Sequence, residues 1–343
     1  MNKKWKTGVL LVNLGTPDSP STDDVRKYLR EFLMDKRVID IPFISRWMLV
    51  NLIIAPFRAP KSAKIYRQLW QDRGSPLLFY GRDVTNELQR TLGEGYVVSL
   101  GMRYQTPSIE TALQEIMNHQ VKKIIVVPLF PQYASATTGS VTDKVMEITR
   151  KWEVIPELQL VANFFDDEMF IKSFGELGRK YISEHEYDHF IFSYHGIPER
   201  QVKKSSVKNY CQLSEKCCSN YNPLNQYCYR AQCFATSRLL AAELEIPKEK
   251  YSVTFQSRLG KDPWLQPYTD EVIKKLPAEG KKKVLAFSPS FIADCLETTI
   301  EVGEEFKEEF MEAGGEHWQL VESLNAHPLW IETLKKMVMK HSN

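Results

Sequence analysis

Short unbroken apolar runs alternate along this chain with longer stretches in which apolar positions recur every three or four residues. The runs 8–13, 96–100, 123–129, 158–162, 189–195, 252–256 and 284–288 predict strands. Several are built largely of Val, Ile and Leu, the pattern of parallel strands covered on both faces. Helical periodicity falls near 22–32, 108–117, 140–150, 167–181, 232–244, 269–276, 293–311 and 329–339. Pro107 after Thr106, and Thr269-Asp270-Glu271, supply helix starts. Strand and helix alternate twice over, which implies an α/β fold of two similar doubly wound, Rossmann-like parallel-sheet halves. The seam is expected near 152–156, giving a first half of 1–152 and a second of 153–326, with the last helix (within 327–343) folding back on the first.

Two stretches break the alternation. Residues 34–70 are apolar and basic: Trp47, Met48, Leu49, Ile53, Ile54 and Phe57 stand among Arg46, Arg58 and Lys61. Such a segment suits a membrane interface, or else a helix packed on the protein's own core. The other is a polar, cysteine-rich insert, 205–229.

Composition narrows the classes. With 343 residues, 43% of them hydrophobic, the chain can bury two ordinary cores. A net charge of +2 with no basic block argues against nucleic acid. The basic start, Lys3 to Lys6, and the apolar run after it lead straight into Asn13, Gly15, Thr16 and Pro17, a strand and turn rather than a leader. The longest apolar stretch, 47–57, is interrupted by Asn51 and Pro56, too short to span a bilayer. A cytoplasmic protein with reduced thiols is expected.

Chemistry concentrates in two places. Ser193-Tyr194-His195-Gly196-Ile197-Pro198 ends an apolar run, where ligands of doubly wound sheets sit. Asp294, Glu297, Glu301 and Glu305 recur along a predicted helix. At 100° per residue they share an arc of about 80°, suited to conducting protons or a divalent cation and poor as a plain surface. Singly, His195 also reads as a satisfied strand-end histidine, and the stripe as a solvated face. No G-x-G-x-x-G follows the first strand and no P-loop exists, so no nucleotide is expected. Thr137-Thr138-Gly139-Ser140 is either an anion-holding helix start or a capping turn.

These segments together resemble the ferrochelatase family, lyases that insert ferrous iron into a porphyrin. The match includes Gly8-Val9-Leu10-Leu11-Val12-Asn13-Leu14-Gly15-Thr16-Pro17, Pro131-Gln132-Tyr133 and the Thr137–Ser140 loop. It continues through the His195 segment, Gln256-Ser257-Arg258, Pro263-Trp264-Leu265 and the acidic helix. The resemblance implies a porphyrin cleft between the two halves, Fe(II) and protoporphyrin IX as substrates, and protohaem as product at the last step of haem biosynthesis. It implies His195 as first proton acceptor or iron ligand, and Glu297 opposite it as iron ligand or second base. Asp294, Glu301 and Glu305 would form a path for metal or protons. Porphyrin contacts are implied for Leu14, Arg103, Tyr104, Gln256, Ser257 and Trp264, with Arg103 suited to a propionate. Leu14 stands where some relatives carry Met. Residues 34–70 become a lip over the porphyrin that touches the membrane peripherally. Iron is a substrate here, so the chemistry needs no cofactor.

Five of six cysteines, Cys211, Cys217, Cys218, Cys228 and Cys233, fall within 23 residues without the paired knuckles of a zinc ribbon. Some ferrochelatases hold a [2Fe–2S] cluster through a C-terminal extension. Here Cys295 is the last cysteine and Ala136 stands at a ligand position of that branch, so that arrangement is not expected. Bacterial members with an internal cysteine segment are similar to this chain. The resemblance implies a cluster on four of the five, foremost Cys211, Cys217 or Cys218, Cys228 and Cys233, against free thiols or adventitious zinc. The competing functions are insertion into coproporphyrin III, insertion of cobalt or nickel into a related tetrapyrrole, and a non-catalytic porphyrin or iron–sulfur carrier.

Overall fold

Among the described residues eight strands form two four-stranded parallel sheets with one topology used twice. The computed structural model describes residues 5–258, 260 and 262–342. Met1–Lys4, part of the stretch judged above not to be a leader, lie outside them, as do Leu259, Lys261 and Asn343. In the first sheet β1 (Thr7–Gly15), β2 (Tyr96–Tyr104), β3 (Lys123–Pro128) and β4 (Glu157–Leu160) lie in the order β2-β1-β3-β4. In the second, β5 (His189–His195), β6 (Tyr251–Gln256), β7 (Lys283–Phe287) and β8 (His317–Leu320) lie in the order β6-β5-β7-β8.

One compact unit comprises the described residues up to Phe130, Ser135–Asn163 and those from Trp330 onward; the other is Pro131–Ala134 and Phe164–Leu329. A seam at 152–156 therefore falls one element early. Strand β4 pairs with β3, register Lys123↔Glu157 to Val126↔Leu160, so it completes the first sheet. The final helix, Pro328–Ser342, is tied to the first unit where Lys123 Nζ donates to the His341 carbonyl at 2.9 Å.

The core of each unit follows from its strands. Leu10, Val12, Ile124 and Val126 pack on Ile116, Val141 and Val145 in the first. Ile191, Val284 and Ala286 pack on Val302, Phe306, Phe310 and Trp318 in the second. At the end of β1, Gly15 has φ +119° and a Cβ there would lie 2.0 Å from the Tyr104 carbonyl, so only glycine closes the turn.

Residues 34–70 fold as helix Phe43–Met48, a π-helical segment Leu49–Ile54 and helix Ala55–Leu69. One face of this stretch packs on the protein's own core, and the other is apolar and exposed. Val50 and Ile54 bury against Leu33 and Ile39, while Ile44 and Phe57 stay 71% and 72% exposed. Arg46 is not an interfacial charge: it is buried, and its guanidinium donates to the Ile39 and Ile41 carbonyls. Among the described residues no helix is long and apolar enough to cross a membrane.

The acidic segment is not one α-helix over 293–311. It is a π-helix, Leu296–Glu305, continued by α-helix Phe306–Glu312. Bonding from i to i+5 widens the turn. Trp318 of β8 donates its indole N–H to the Val302 carbonyl at 3.0 Å, bracing that turn against the sheet. The first sheet carries a counterpart after β3, π-helix Ser135–Gly139 followed by α-helix Ser140–Thr149.

Candidate active site

The second unit gathers His195, Gln256, Ser257, Glu297 and Glu301 at the carboxyl ends of β5 and β6 and on the π-helix. His195 is the last residue of β5, in register with Gln256 at the end of β6. Its Nδ1 lies 2.6 Å from the Gly196 carbonyl oxygen. A carbonyl only accepts, so Nδ1 carries a proton, and in the neutral ring the lone pair is on Nε2. Gly196 sits where a Cβ would come 3.0 Å from the Gln256 carbonyl, and its amide donates to that same oxygen at 2.7 Å. The Trp264 ring centroid is 6.4 Å from that of His195.

Gln256 is buried and serves the acids. Its amide nitrogen donates to the Glu297 carbonyl oxygen at 2.9 Å and to Glu301 Oε2 at 3.0 Å. Its own carbonyl oxygen accepts from Ser193 Oγ at 2.7 Å, and Ser193, Thr269 and Thr254 continue the buried chain. Ser257, in the left-handed region at φ +57°, donates its hydroxyl to Glu301 Oε2. Burial raises the Glu301 pKa above the ordinary carboxylate range, and Glu297 adds to the rise; Ser257, His195 and Gln256 oppose it. Glu305, exposed at the end of the row, is raised by partial burial and by Glu309, Glu308 and Glu304.

Asp294 does not share the row. It precedes the π-helix, whose N-cap is Cys295, and its carboxylate accepts from the Ser323 amide at 3.0 Å and Asn325 Nδ2 at 2.8 Å. The arc computed at 100° per residue fails here because the segment is π and begins after Asp294.

In the first unit Leu14 is half-buried on β1, and Arg103 and Tyr104 end β2. Arg103 Nη2 pairs with Asp35 at 2.6 Å and its Nε donates to Ser140 Oγ at 2.7 Å, so two of its three nitrogens are engaged. Tyr104 has no exposed surface and donates to Asp35 at 2.9 Å, which makes it a core residue rather than a pocket wall. Burial pushes the Asp35 carboxyl up, but the Ser140 hydroxyl, the Arg37 amide, Arg103 and Tyr104 outweigh it and hold the pKa below its ordinary value.

A family model described as ferrochelatase matches residues 6–342. The chain belongs to the ferrochelatase family. A ferrochelatase of Coxiella burnetii (strain Dugway 5J108-111) is 45% identical over 339 residues, covering 98% of this chain and 94% of that one. A ferrochelatase of Legionella pneumophila (strain Lens) is 44% identical over 333 residues, with coverages of 97% and 98%. Among solved structures, SirB from Bacillus subtilis with Fe3+ superposes with a TM-score of 0.53 at 12% identity, covering 98% and 95% of the two chains. At that identity the likeness is one of fold, a chelatase architecture of two α/β halves. Membership makes the chain an enzyme of the lyase class that inserts metal into a porphyrin.

In this ferrochelatase the cysteine insert gathers four thiols. Cys217 and Cys218 Sγ are 3.8 Å apart, and Cys228 is hydrogen-bonded to both Cys211 and Cys218. Arg230 donates to Cys218 Sγ at 3.0 Å. The bond from Cys228, with help from Arg230, lowers the Cys211 and Cys218 thiols to about 6, while Cys228 is pushed up by the same two neighbours. Cys233 stands apart from the expected set: its thiol meets Tyr229 inside helix Tyr229–Glu243, and burial raises it well above the ordinary value. Among the described residues no group of three or more His, Cys, Asp or Glu is placed to hold a metal ion. The donor chemistry nonetheless fits an iron–sulfur group: four adjoining sulfurs, two of them readily thiolate, with a cation beside them.

Two participants escaped the sequence reading. Tyr229 hydrogen-bonds the His195 carbonyl, and Asp35 neutralises Arg103. Asp35 lay inside a stretch read for its apolar and basic residues, and a tyrosine in a cysteine-rich insert carries no local signal of its target.

Proposed function

We propose that this chain inserts Fe(II) into protoporphyrin IX, releasing two protons and giving protohaem. The tautomer of His195 carries the reading. With Nδ1 donating to Gly196, the Nε2 lone pair is free to take the first pyrrole proton as iron enters. Glu297 faces the metal as ligand or second base. Imidazole and carboxylate hold ferrous iron loosely enough to transfer it, where thiolates would not. Glu301, its acidity weakened by burial, carries protons outward to exposed Glu305. Asp294 fixes the start of the π-helix. In the first unit Leu14 and the free edge of Arg103, and in the second Trp264, are the candidate porphyrin contacts. Gln256 and Ser257 act through Glu301.

The exposed apolar face of residues 43–57 rests on a membrane surface, from which an apolar porphyrin would be drawn. Cys211, Cys217, Cys218 and Cys228 would hold a [2Fe–2S] cluster, which when bound would supply a redox-sensitive cross-link of the insert. Iron insertion itself leaves oxidation states unchanged. Absorption between about 320 and 550 nm in anaerobically purified protein tests the cluster; its absence at full cysteine content overturns that part.

The deciding experiment is an anaerobic assay with Fe(II) and protoporphyrin IX beside coproporphyrin III. Faster turnover with protoporphyrin supports the proposal. Turnover with coproporphyrin alone moves the enzyme to the other porphyrin, and tight binding without turnover leaves a carrier.

A further inference from the structure

The peptide plane between His195 and Gly196 is held at both ends. Its N–H, that of Gly196, donates to the Gln256 carbonyl at 2.7 Å. Its carbonyl, that of His195, accepts the Tyr229 hydroxyl at 2.9 Å. A buried strand-end carbonyl needs a donor once the sheet ladder stops, and Tyr229 supplies it from a ring only 7% exposed. The next carbonyl along, Gly196, is the one that holds His195 Nδ1. The hydroxyl thus shares with Gln256 in holding the peptide plane directly before the one whose carbonyl meets the ring, and so bears on the direction of the imidazole. Ser290 Oγ, 3.3 Å away, and the buried Cys233 thiol are the hydroxyl's further neighbours.

Tyr229 also stands between two members of the cysteine group. Cys228 before it is the N-cap of helix Tyr229–Glu243, its free thiol beside those of Cys211 and Cys218. Arg230 after it donates to Cys218 Sγ at 3.0 Å and to the Ser214 carbonyl at 3.0 Å. Three consecutive residues of one helical turn therefore touch a thiol, the reacting histidine and a thiol. Nothing in the insertion chemistry asks for this arrangement.

We propose that Tyr229 is a positioning residue for His195, and that through its neighbours Cys228 and Arg230 it makes the set of that imidazole depend on the state of the four-thiol group. The inference rests on the reading of His195 as the reacting base. It makes the cysteine insert a regulator of the same site: whatever the thiols hold stiffens or shifts the first turn of the helix, and Tyr229 delivers the change to the histidine peptide.

The test uses the full chain, labelled in its histidine rings, with the His195 signals assigned by their loss in His195→Gln. At one fixed pH, Tyr229→Phe should shift those signals. It should also lower kcat about ten-fold while leaving the porphyrin KM within about two-fold; a merely structural tyrosine would move both constants or neither. Cys228→Ser should shift the His195 signals in the Tyr229 background and have no further effect in Tyr229→Phe, a non-additivity that marks coupling. Unmoved His195 signals in Tyr229→Phe overturn the positioning role. Equal Cys228→Ser shifts in both backgrounds overturn the coupling. Should Tyr229→Phe not fold, Cys228→Ser and Arg230→Lys in the Tyr229 background decide: signals unmoved in both overturn the proposal. Full turnover in His195→Ala would instead defeat the reading of His195 as base, whatever the spectra show.

Discussion

The side-chain amide of Gln256 hydrogen-bonds the Glu301 carboxylate at 3.0 Å, from the strand end that lies in register with His195. Gln256 is buried and makes three side-chain bonds, so it acts by aiming an acid. Gln256→Leu keeps the volume and removes the aim. A bond to a charged group is worth roughly 1.5–3 kcal/mol, which predicts a fall in kcat of about ten- to a hundred-fold. Steady-state kinetics should show the porphyrin KM little changed, and a rise in KM with unchanged kcat would return Gln256 to the pocket wall.

Asp35 and Arg103 form a buried ion pair, the carboxylate side chain 4% exposed. Asp35→Asn strands the guanidinium and should cost roughly 3–5 kcal/mol near neutrality. The folded pKa of Asp35 lies below its unfolded value, so its stabilisation is complete above the ordinary carboxylate range. It is lost as pH falls through the lower folded value. Urea midpoints for wild type and Asp35→Asn should therefore converge as the pH drops below about 4; a gap that persists in acid would refute the assignment.

His189 opens β5, buried, with Nε2 2.8 Å from Ser252 Oγ and Nδ1 unpartnered. Burial, then the positive charge of Lys281, lowers its pKa to about 4, partly offset by Glu279. Between the unfolded value near 6.5 and that folded value, the unfolded chain binds the extra proton, so stability falls as pH falls. The loss approaches roughly 3 kcal/mol at pH 4. In His189→Gln, thermal unfolding followed from pH 7 to 5 should show a shallower decline than wild type.

The exposed side chains Ile44 and Phe57 are the outermost apolar groups of residues 34–70. Replacing both by Asp should weaken co-sedimentation with anionic vesicles by at least about ten-fold, since each contributes on the order of 1.5–3 kcal/mol when buried. Unchanged sedimentation would move membrane contact elsewhere.

Much of this architecture was legible because parallel strands covered on both faces are long and uniformly apolar. The run from His189 to His195 is read off residue for residue. Strand β8 was missed because His317, Trp318, Gln319 and Leu320 make a four-residue edge with only Trp318 fully buried. Helix Pro76–Leu92 was missed although Ser75-Pro76 is a sound start, because Gly81 interrupts its apolar face; that glycine lets the helix approach Leu100. Of the candidate site, His195 and the acids at 297 and 301 were visible as types in a pattern. Their supports were not. Which carbonyl Tyr229 finds, or which base Asp35 neutralises, depends on contacts thirty to seventy residues apart.

The wide hydrogen-bonded turn of Leu296–Glu305 changes what kind of mutation this enzyme should tolerate. Each turn holds one residue more than an α-helix would place between donor and acceptor. The spacing of Glu297, Glu301 and Glu305 is thus a property of segment length before it is one of side-chain identity. Exchanging Thr299 or Ile300 for another residue leaves the frame standing. Removing either lets the backbone relax to the commoner helix and swings Glu301 away from Gln256 and Ser257, so drift in this segment is constrained in count more tightly than in composition.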